Sequence, residues 1–406
     1  MQSLQRQFWN GVLSLVAVFG LAAVCLPGGC AMAEGPREWV ESRLDGLVAL
    51  YQHFHRHPEL SNQEAETSKR LAEELRAAGC EVTTGVGGHG VVGLIRNGDG
   101  PVVMWRCDLD ALPVTENTGL EYASTVRVPG DAGVEVGVMH ACGHDIHITN
   151  LIAAARYMQE HREEWRGTLM LIGQPAEEKV LGAKQMLDDG LFERFPRPHF
   201  AIALHVDSNL ETGKIGYRAG DALANVDACD ITVRGRGGHG SAPHACIDPI
   251  MQAAELVVSL QTIVSREISP LEPAVITVGS IHGGTKHNII PDTCHLQLTI
   301  RSYSDEVRER LKEGIVRKAN GIAQAYGAPA PTVEFSQGTP AVYNDEVVVN
   351  RIIPELAAVL GEEQLVEADR VMGAEDFSLY GRAGVPIFMF RLGAVAPERM
   401  AAYREK

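Results

Sequence analysis

Apolar residues recur every three or four positions over residues 37–54, the spacing that one face of an amphipathic helix requires. A second helix is predicted over 64–78, capped near Ser61 or Asn62 and ended by Gly79. Strand and helix patterns then alternate, with predicted strands at 102–105, 169–172 and 200–204 and a helix at 148–165. This alternation predicts an α/β fold with a mixed, largely parallel sheet flanked by helices.

From about Cys229 onward the pattern changes. The predicted elements are a strand at 231–233, a helix at 249–264, strands at 275–279 and 296–300, a helix at 305–325 and a strand at 332–335. This order is typical of a small ferredoxin-like α+β domain. The α/β pattern returns after Gly338. We therefore predict an inserted domain at 223–337 within a catalytic domain made of 34–222 and 338–406.

The first 33 residues are predicted to be a signal peptide. Arg6 precedes an apolar run at 11–26, and Ala31-Met32-Ala33 has the A-x-A form of a cleavage site. The run is shorter than the roughly 20 residues that span a bilayer. We expect export to the periplasm or the medium after cleavage near Ala33. A membrane anchor formed by the same segment is the alternative, and a lipoprotein is disfavoured because Pro27 stands where a lipobox has Leu.

Composition narrows the classes of partner. A formal net charge of −16 excludes nucleic acid as a partner, because a phosphate backbone would be repelled. Hydrophobic residues at 45% and charged residues at 22% are typical of globular proteins. Cysteines are scattered along the chain, so a disulfide framework is not predicted.

Residues able to bind a metal or move a proton follow the predicted strands and precede one helix. In an open α/β sheet, binding sites form outside the carboxyl ends of the strands. Separate segments should therefore meet at one edge of the sheet. These residues are Asp108 and Asp110, then Glu177 and Glu178, then His205, and the group His140, Cys142, His144, Asp145 and His147 ahead of the helix at 148.

Each of these residues alone has an ordinary explanation, such as a buried thiol, a helix cap or a solvated acidic pair. Their convergence favours a metal site. Cys142 and His144 are two positions apart, so in extended backbone both would point to one face, and Gly143 would allow a close approach there. Thiolate, imidazole and carboxylate together suit zinc or a similar first-row metal. A nucleophilic Cys142 is the rival interpretation, but no motif supplies its base.

Eight motifs follow one another in the order found in a known family: HRHPELSNQE (55–64), RCDLDALPV (106–114), MHACGHDIHI (139–148), QPAEE (174–178), ALHV (203–206), GRGGHGSAPH (235–244), NIIPD (288–292) and GAEDFS (373–378). The chain resembles the dinuclear metallopeptidase superfamily of aminoacylases and carboxypeptidases. It is most similar to the amidohydrolase branch, which includes hippurate hydrolases, N-acyl-amino-acid amidohydrolases and auxin-conjugate hydrolases.

The resemblance implies a zinc-exopeptidase-like catalytic domain with two divalent metal ions. Zinc is the expected metal, with manganese, cobalt and nickel as alternatives. It also implies that the inserted domain is a lid through which the chain forms a homodimer. The implied metal ligands are Cys142, which bridges the ions, His144, Glu178 and His205. The implied catalytic residues are Glu177 as general base, Asp108 as a residue that orients a ligand, and His239, which polarises the substrate carbonyl. Asn288 and Arg301 are implied to contact the substrate.

The chain departs from the family pattern near its end. Relatives place another metal-binding His close to the C-terminus, whereas no His follows His295 here. We expect that the 406-residue chain is a fragment, or that one metal lacks a ligand. Cys107 also departs, since relatives mostly have Ala there, and it is predicted to be a tolerated small residue rather than a ligand.

The predicted function is metal-dependent hydrolysis of the amide bond in an N-acyl amino acid or a related small amide. The closest rival is a dipeptidase or exopeptidase of the same superfamily, although those relatives more often bridge the metals with Asp than with Cys. A catalytically impaired ligand-binding homologue is the alternative from a different class.

Overall fold

The computed structural model describes residues 35–130, 133–336 and 338–404 of the chain. The predicted signal peptide lies outside these described residues. None of the helices found in the described ranges has the length and apolar character that crossing a membrane requires.

The chain divides into two compact units. The first comprises the described residues up to Gly220 together with Tyr343–Asp369 and the residues from Asp376 onward. The second comprises Asp221–Val342 and also Arg370–Glu375. The inserted domain that the sequence predicts, 223–337, does not include the segment Arg370–Glu375.

The strands, in chain order, are β1 (Glu81–Val86), β2 (Gly90–Asn97), β3 (Val102–Asp108), β4 (Arg127–Pro129), β5 (Glu135–Gly137), β6 (Gly167–Gln174), β7 (Phe200–Glu211), β8 (Ile215–Tyr217), β9 (Gly220–Leu223), β10 (Asn225–Arg234), β11 (Gly238–His239), β12 (Ala274–Gly283), β13 (Ile289–Ile290), β14 (Thr293–Ser302), β15 (Thr332–Phe335), β16 (Val342–Asn344), β17 (Leu365–Glu367) and β18 (Ile387–Val395). The helices are α1 (Pro36–Arg56), α2 (Ala65–Ala77), α3 (His144–Glu160), α4 (Gly182–Asp188), α5 (Leu191–Arg194), α6 (Pro249–Glu267), α7 (Asp305–Ala325), α8 (Glu346–Leu360), α9 (Ser378–Arg382) and α10 (Pro397–Arg404).

The first unit is built on one sheet with the strand order β1-β2-β6-β3-β7-β18-β8-β17. Its centre is parallel: β3 pairs in parallel with β6 and β7, and β7 pairs in parallel with β18. The β1 edge is antiparallel. Side chains from α1, α2 and α3 share one apolar core with the central strands. The prediction of a mixed, largely parallel sheet flanked by helices is confirmed.

Helix α3 begins earlier than the sequence pattern predicts. It starts at His144 rather than at 148 and ends at Glu160 rather than at 165. The polar side chains of its first turn are typical of a loop, but His144, Asp145 and His147 are all buried in this structure. Periodicity cannot detect a helical turn whose buried face is polar.

The second unit contains an antiparallel sheet in the order β12-β14-β10-β15. One face of this sheet shares an apolar core with α6 and α7. Local sequence defines both helix starts, since the side chain of Asp248 accepts N–H bonds at the start of α6 and that of Ser304 does so at the start of α7. The order of elements is the ferredoxin-like one that the sequence predicts.

Candidate metal centre

Three neighbouring parallel strands bring the candidate residues to one edge of the sheet in the first unit. β3 lies between β6 and β7 and ends at Asp108. Glu177 and Glu178 follow the end of β6, and His205 lies within β7, which is longer than predicted. Because parallel strands end at the same edge, separate segments of the chain meet there.

A turn ahead of α3 presents Cys142 and His144. The predicted extended backbone is wrong here, because Cys142 lies in a turn and His144 is the first residue of α3. Gly143 has a φ of 78°, and a Cβ at this position would lie 2.4 Å from Cγ2 of Val206. The turn therefore requires glycine both for its left-handed backbone and for its contact with β7.

Three sets of potential metal ligands share His144, and the ligand atoms of each set lie within 4.8 Å of one another. The first set is Cys142, His144 and His205, the second is His144, Glu177 and Glu178, and the third is Asp108, His144 and His147. Sγ of Cys142 lies 3.4 Å from Nε2 of His205. Nε2 of His144 lies 3.9 Å from Oε1 of Glu178. The structure thus brings the four predicted ligands together around His144.

Backbone carbonyls determine which nitrogen of each histidine can face a metal ion. Nδ1 of His144 donates to the carbonyl oxygen of Asp110 at 2.7 Å, and Nδ1 of His205 donates to that of Val206 at 2.7 Å. A carbonyl oxygen can only accept, so in the neutral rings the lone pair lies on Nε2. Metal-binding histidines usually donate their second N–H in this way.

The residues present suit a divalent cation. Within the described part of the chain, Nε2 of His144 and Oε1 of Glu178 are buried and have no hydrogen-bond partner. Buried polar atoms without partners are costly, and a cation between them would remove the cost. A thiolate, imidazoles and a carboxylate are the ligands that zinc prefers.

Several side chains of this site have shifted pKa values in the protein without a metal ion. Burial opposes ionisation of the Cys142 thiol, but the neighbouring rings of His144 and His205 outweigh it and lower its pKa to about 6. Burial raises the pKa of Glu178 to about 8. Burial also opposes protonation of His144, but Asp108 and Asp110 outweigh it and raise its pKa well above the usual value. A divalent cation would supply the positive charge that protons supply here.

Hydrogen bonds from two neighbouring side chains fix the orientation of the Asp108 carboxylate. Nδ1 of His147 lies 2.6 Å from its Oδ1, and Arg106 donates to its Oδ2 at 2.7 Å. Nε2 of His147 accepts the backbone N–H of Val206 at 3.1 Å, so Nδ1 must carry the proton of the neutral ring. Burial lowers the pKa of His147 to about 4, which keeps that ring neutral. Oδ2 of Asp108 then lies 3.5 Å from Nε2 of His144.

The sequence assigned no role to Arg106, and it predicted His147 only as one of a group of candidate residues. Arg106 is fully buried and also bonds to Gln174 and Asp376 at 3.0 Å each. His147 lies three residues after His144 on α3, and this helical spacing could have suggested a shared face. Cys107, by contrast, belongs to the apolar core of the first unit, and burial raises the pKa of its thiol.

The other predicted site residues lie in the second unit. His239 on β11 is exposed and pairs with Ile289 on β13. Asn288 precedes β13, and its carbonyl accepts the N–H of Gly240 at 2.8 Å, so one ribbon carries both His239 and Asn288. Arg301 lies on β14 and donates to the carbonyl of Met372 at 2.5 Å. Their roles toward a substrate stay predictions.

Known proteins of similar sequence and structure are hydrolases. The "Thermostable carboxypeptidase 1" of Saccharolobus solfataricus is 38% identical over 340 residues, which cover 83% of this chain and 83% of that protein. The "N-acetylcysteine deacetylase" of Bacillus subtilis is 37% identical over 358 residues, covering 87% of this chain and 89% of that protein. The crystal structure of a Bacillus subtilis protein described as a dinuclear metal binding peptidase from the M20 family is 32% identical with a TM-score of 0.73, covering 89% of this chain and 95% of that one.

The model of the peptidase family M20/M25/M40 matches residues 104–406. That match takes in all three sets of potential ligands that contain His144. Together with relatives more than 30% identical over most of the chain, it shows that this protein belongs to the peptidase family M20/M25/M40.

Proposed function

We propose that the protein hydrolyses the amide bond of N-acyl amino acids at a pair of divalent metal ions, with zinc as the metal. The observation that carries this proposal is the convergence of Cys142, His144, Glu178 and His205, with Glu177 beside them. The deacetylase name of one relative supports an acyl group on the amino acid nitrogen.

Bound metal ions would lower the pKa of a water molecule towards 7 and stabilise negative charge on the substrate oxygen. In this proposal, Glu177 is the group that moves protons. Its carboxylate is buried, and its Oε2 lies 4.0 Å from Nε2 of His144, within the second set of potential ligands. From this place Glu177 accepts the proton of the attacking water and returns it to the leaving nitrogen. Asp108, fixed by His147 and Arg106, orients the ligands.

The second unit supplies the substrate contacts in this proposal. In a neutral ring, the N–H of Ser241 at 3.1 Å makes Nδ1 of His239 an acceptor, so Nε2 carries the proton. Nε2 of His239 donates to the substrate carbonyl oxygen, and Asn288 and Arg301 bind the rest of the substrate. We propose that this unit is the lid and forms the homodimer interface.

Replacing Glu177 with Gln tests the mechanism. The amide cannot accept a proton from water, so kcat should fall by about 100-fold or more. Metal content, measured by mass spectrometry of the dissolved protein, should stay that of the wild type, because Glu177 is not assigned as a ligand. Near-normal turnover of this variant would refute Glu177 as the base.

A carboxypeptidase is the second candidate function, favoured by the similar enzyme from Saccharolobus solfataricus. The two functions differ in the group on the acyl side of the scissile bond. N-acetyl-, N-benzoyl- and indole-acetyl-amino acids should be hydrolysed faster than peptides of the same C-terminal residue. Faster cleavage of the peptides would establish the carboxypeptidase instead.

We also propose that the protein is exported. The A-x-A sequence at Ala31–Ala33 supports cleavage by signal peptidase. N-terminal sequencing of the protein purified from its native host should begin at Glu34. An N-terminus that retains the apolar run would favour the anchored form.

A further inference from the structure

The loop between β6 and α4, residues 175–181, carries Glu177 and Glu178 in strained backbone. Ala176 has a φ of 51° and Val180 a φ of 58°. This left-handed region disfavours residues with a side chain, above all β-branched ones. The loop also closes tightly on itself, since a Cβ on Gly182 would lie 1.5 Å from the carbonyl oxygen of Pro175. Such a backbone persists only where its surroundings hold it in place.

Three buried carboxylates hold this loop and the first turn of α4 by their peptide N–H groups, and we name them the carboxylate clamp: Glu64, Asp110 and Asp376. Oε1 of Glu64 accepts from Ala176 at 2.8 Å, Oδ2 of Asp110 accepts from Glu178 at 2.9 Å, and Oδ2 of Asp376 accepts from Ala183 at 2.9 Å. All three side chains are fully buried. They come from three distant segments, so the tertiary fold, rather than the loop itself, determines the loop's shape.

Within the clamp, Glu64 connects two strained positions. The oxygen that accepts from Ala176 also accepts the N–H of Asn62 at 2.9 Å, and Asn62 has a φ of 65°. The second oxygen, Oε2, is buried and has no partner among the described residues. An unpaired buried carboxyl oxygen destabilises the fold. Stability alone does not account for a glutamate at this position.

We propose that Glu64 is a positioning residue whose hydrogen bond to the N–H of Ala176 fixes the backbone next to Glu177 and so places Glu177 and Glu178 relative to His144. The inference rests on the proposed function, because it takes Glu177 as the base and Glu178 as a metal ligand. It gives the motif at 55–64 a role: this segment holds the loop that carries the two glutamates. Glu64 is a cleaner test than Asp110, whose carboxylate also lies 3.4 Å from Nδ1 of His144.

Two substitutions separate the reach of the side chain from its charge. Glu64→Gln keeps the length and one oxygen that accepts the same N–H groups, so kcat should stay within about threefold of wild type. Glu64→Asp keeps the acidic group but withdraws it from Ala176 by one methylene. A small displacement of catalytic groups costs about tenfold or more in kcat. KM should change less than kcat, because the loss concerns the transition state.

Glu59 offers a matched control in the same motif. Its carboxylate accepts the N–H groups of Glu66 and Thr67 at the start of α2, at 3.2 and 2.7 Å. Glu59→Ala should lower the melting temperature through loss of this cap, while kcat stays within about twofold of wild type.

Hydrogen exchange supplies a readout that is independent of turnover. The peptide covering residues 174–183 of the full-length, metal-loaded chain should exchange faster in Glu64→Asp than in wild type. In Glu64→Gln and Glu59→Ala the same peptide should exchange as in wild type. These differences should persist when metal is removed, because the hydrogen bond belongs to the protein alone.

Wild-type kcat and wild-type exchange in Glu64→Asp would overturn the positioning role. Equal losses of kcat in Glu64→Asp and Glu64→Gln would also overturn it, because charge rather than reach would then be what matters. Failure of the metal-loaded wild type to hydrolyse any N-acyl amino acid would instead refute the proposed function, and faster exchange in Glu64→Asp would then still show that Glu64 holds the loop.

Discussion

The two compact units hold their candidate residues in opposite ways. In the first unit, Asp108, His144 and Glu177 are buried, Asp108 is hydrogen-bonded to His147, and His144 is hydrogen-bonded to the carbonyl oxygen of Asp110. In the second unit, His239 and Asn288 stand exposed on a two-stranded ribbon. Burial lowers the effective dielectric and fixes geometry, which suits groups that hold ions and move protons. An exposed side chain can contact a substrate, and its replacement changes the stability of the fold little.

Individual buried carboxylates also differ in how completely their oxygens are paired. Asp227 in the second unit is fully paired, since Arg308 and Lys312 contact its two oxygens at 2.7 and 3.1 Å. In the first unit, Glu178 and Glu64 each keep a buried oxygen with no partner among the described residues. A paired buried charge is compatible with a purely structural role, whereas an unpaired one indicates a requirement imposed by function.

The largest effect is expected at the buried centre. Cys142→Ala removes a ligand from the first set, so metal content should fall. Because a bound metal contributes several kcal/mol to catalysis, turnover should drop about 1,000-fold. Cys107→Ala is the matched control, since this buried thiol lies in the apolar core, and it should keep metal and turnover with only a lower melting temperature. Undiminished metal in Cys142→Ala would remove Cys142 from the ligand set.

Glu64 should make stability depend on pH. Burial raises its pKa from 4.5 to about 7 in the folded protein. A carboxyl with a raised folded pKa stabilises the fold fully below about pH 4.5, and this stability is lost as pH rises through 7. Relative to Glu64→Gln, the wild type should therefore lose about 3 kcal/mol of unfolding free energy across that window. Urea unfolding of both metal-free proteins at several pH values measures it, and a difference that does not change with pH would contradict it.

The smallest change in the free energy of unfolding is expected at the exposed ribbon of the second unit. His239→Ala should lower kcat by about 100-fold, the effect of losing one donor to the substrate oxyanion. The melting temperature should stay within about one degree, because an exposed side chain contributes little to the fold. Calorimetry and steady-state kinetics on the same samples would show both. A variant that loses stability as well would break the contrast between the two units.

Much of the architecture could be predicted from local pattern. The helix at 305–325 and the strand at 332–335 are observed with the predicted bounds, since their periodicity and caps are clear. The site was harder to predict in detail. The first turn of α3 was missed because its buried side chains are polar, and the turn at Cys142 was predicted as extended backbone. In both places, buried hydrogen bonds and glycine geometry replace the apolar periodicity on which prediction depends.

By itself, the sequence determined the class of fold, the order of the elements and the residue types able to bind metal at the sheet edge. These follow from hydrophobic period and from motifs that are contiguous in the chain. Only the tertiary structure decided which nitrogen of His144 bonds to the backbone carbonyl of Asp110 and which carboxylate accepts the N–H of Ala176. Those contacts join residues 34 and 112 positions apart, and the distances between such segments depend on how the whole sheet packs.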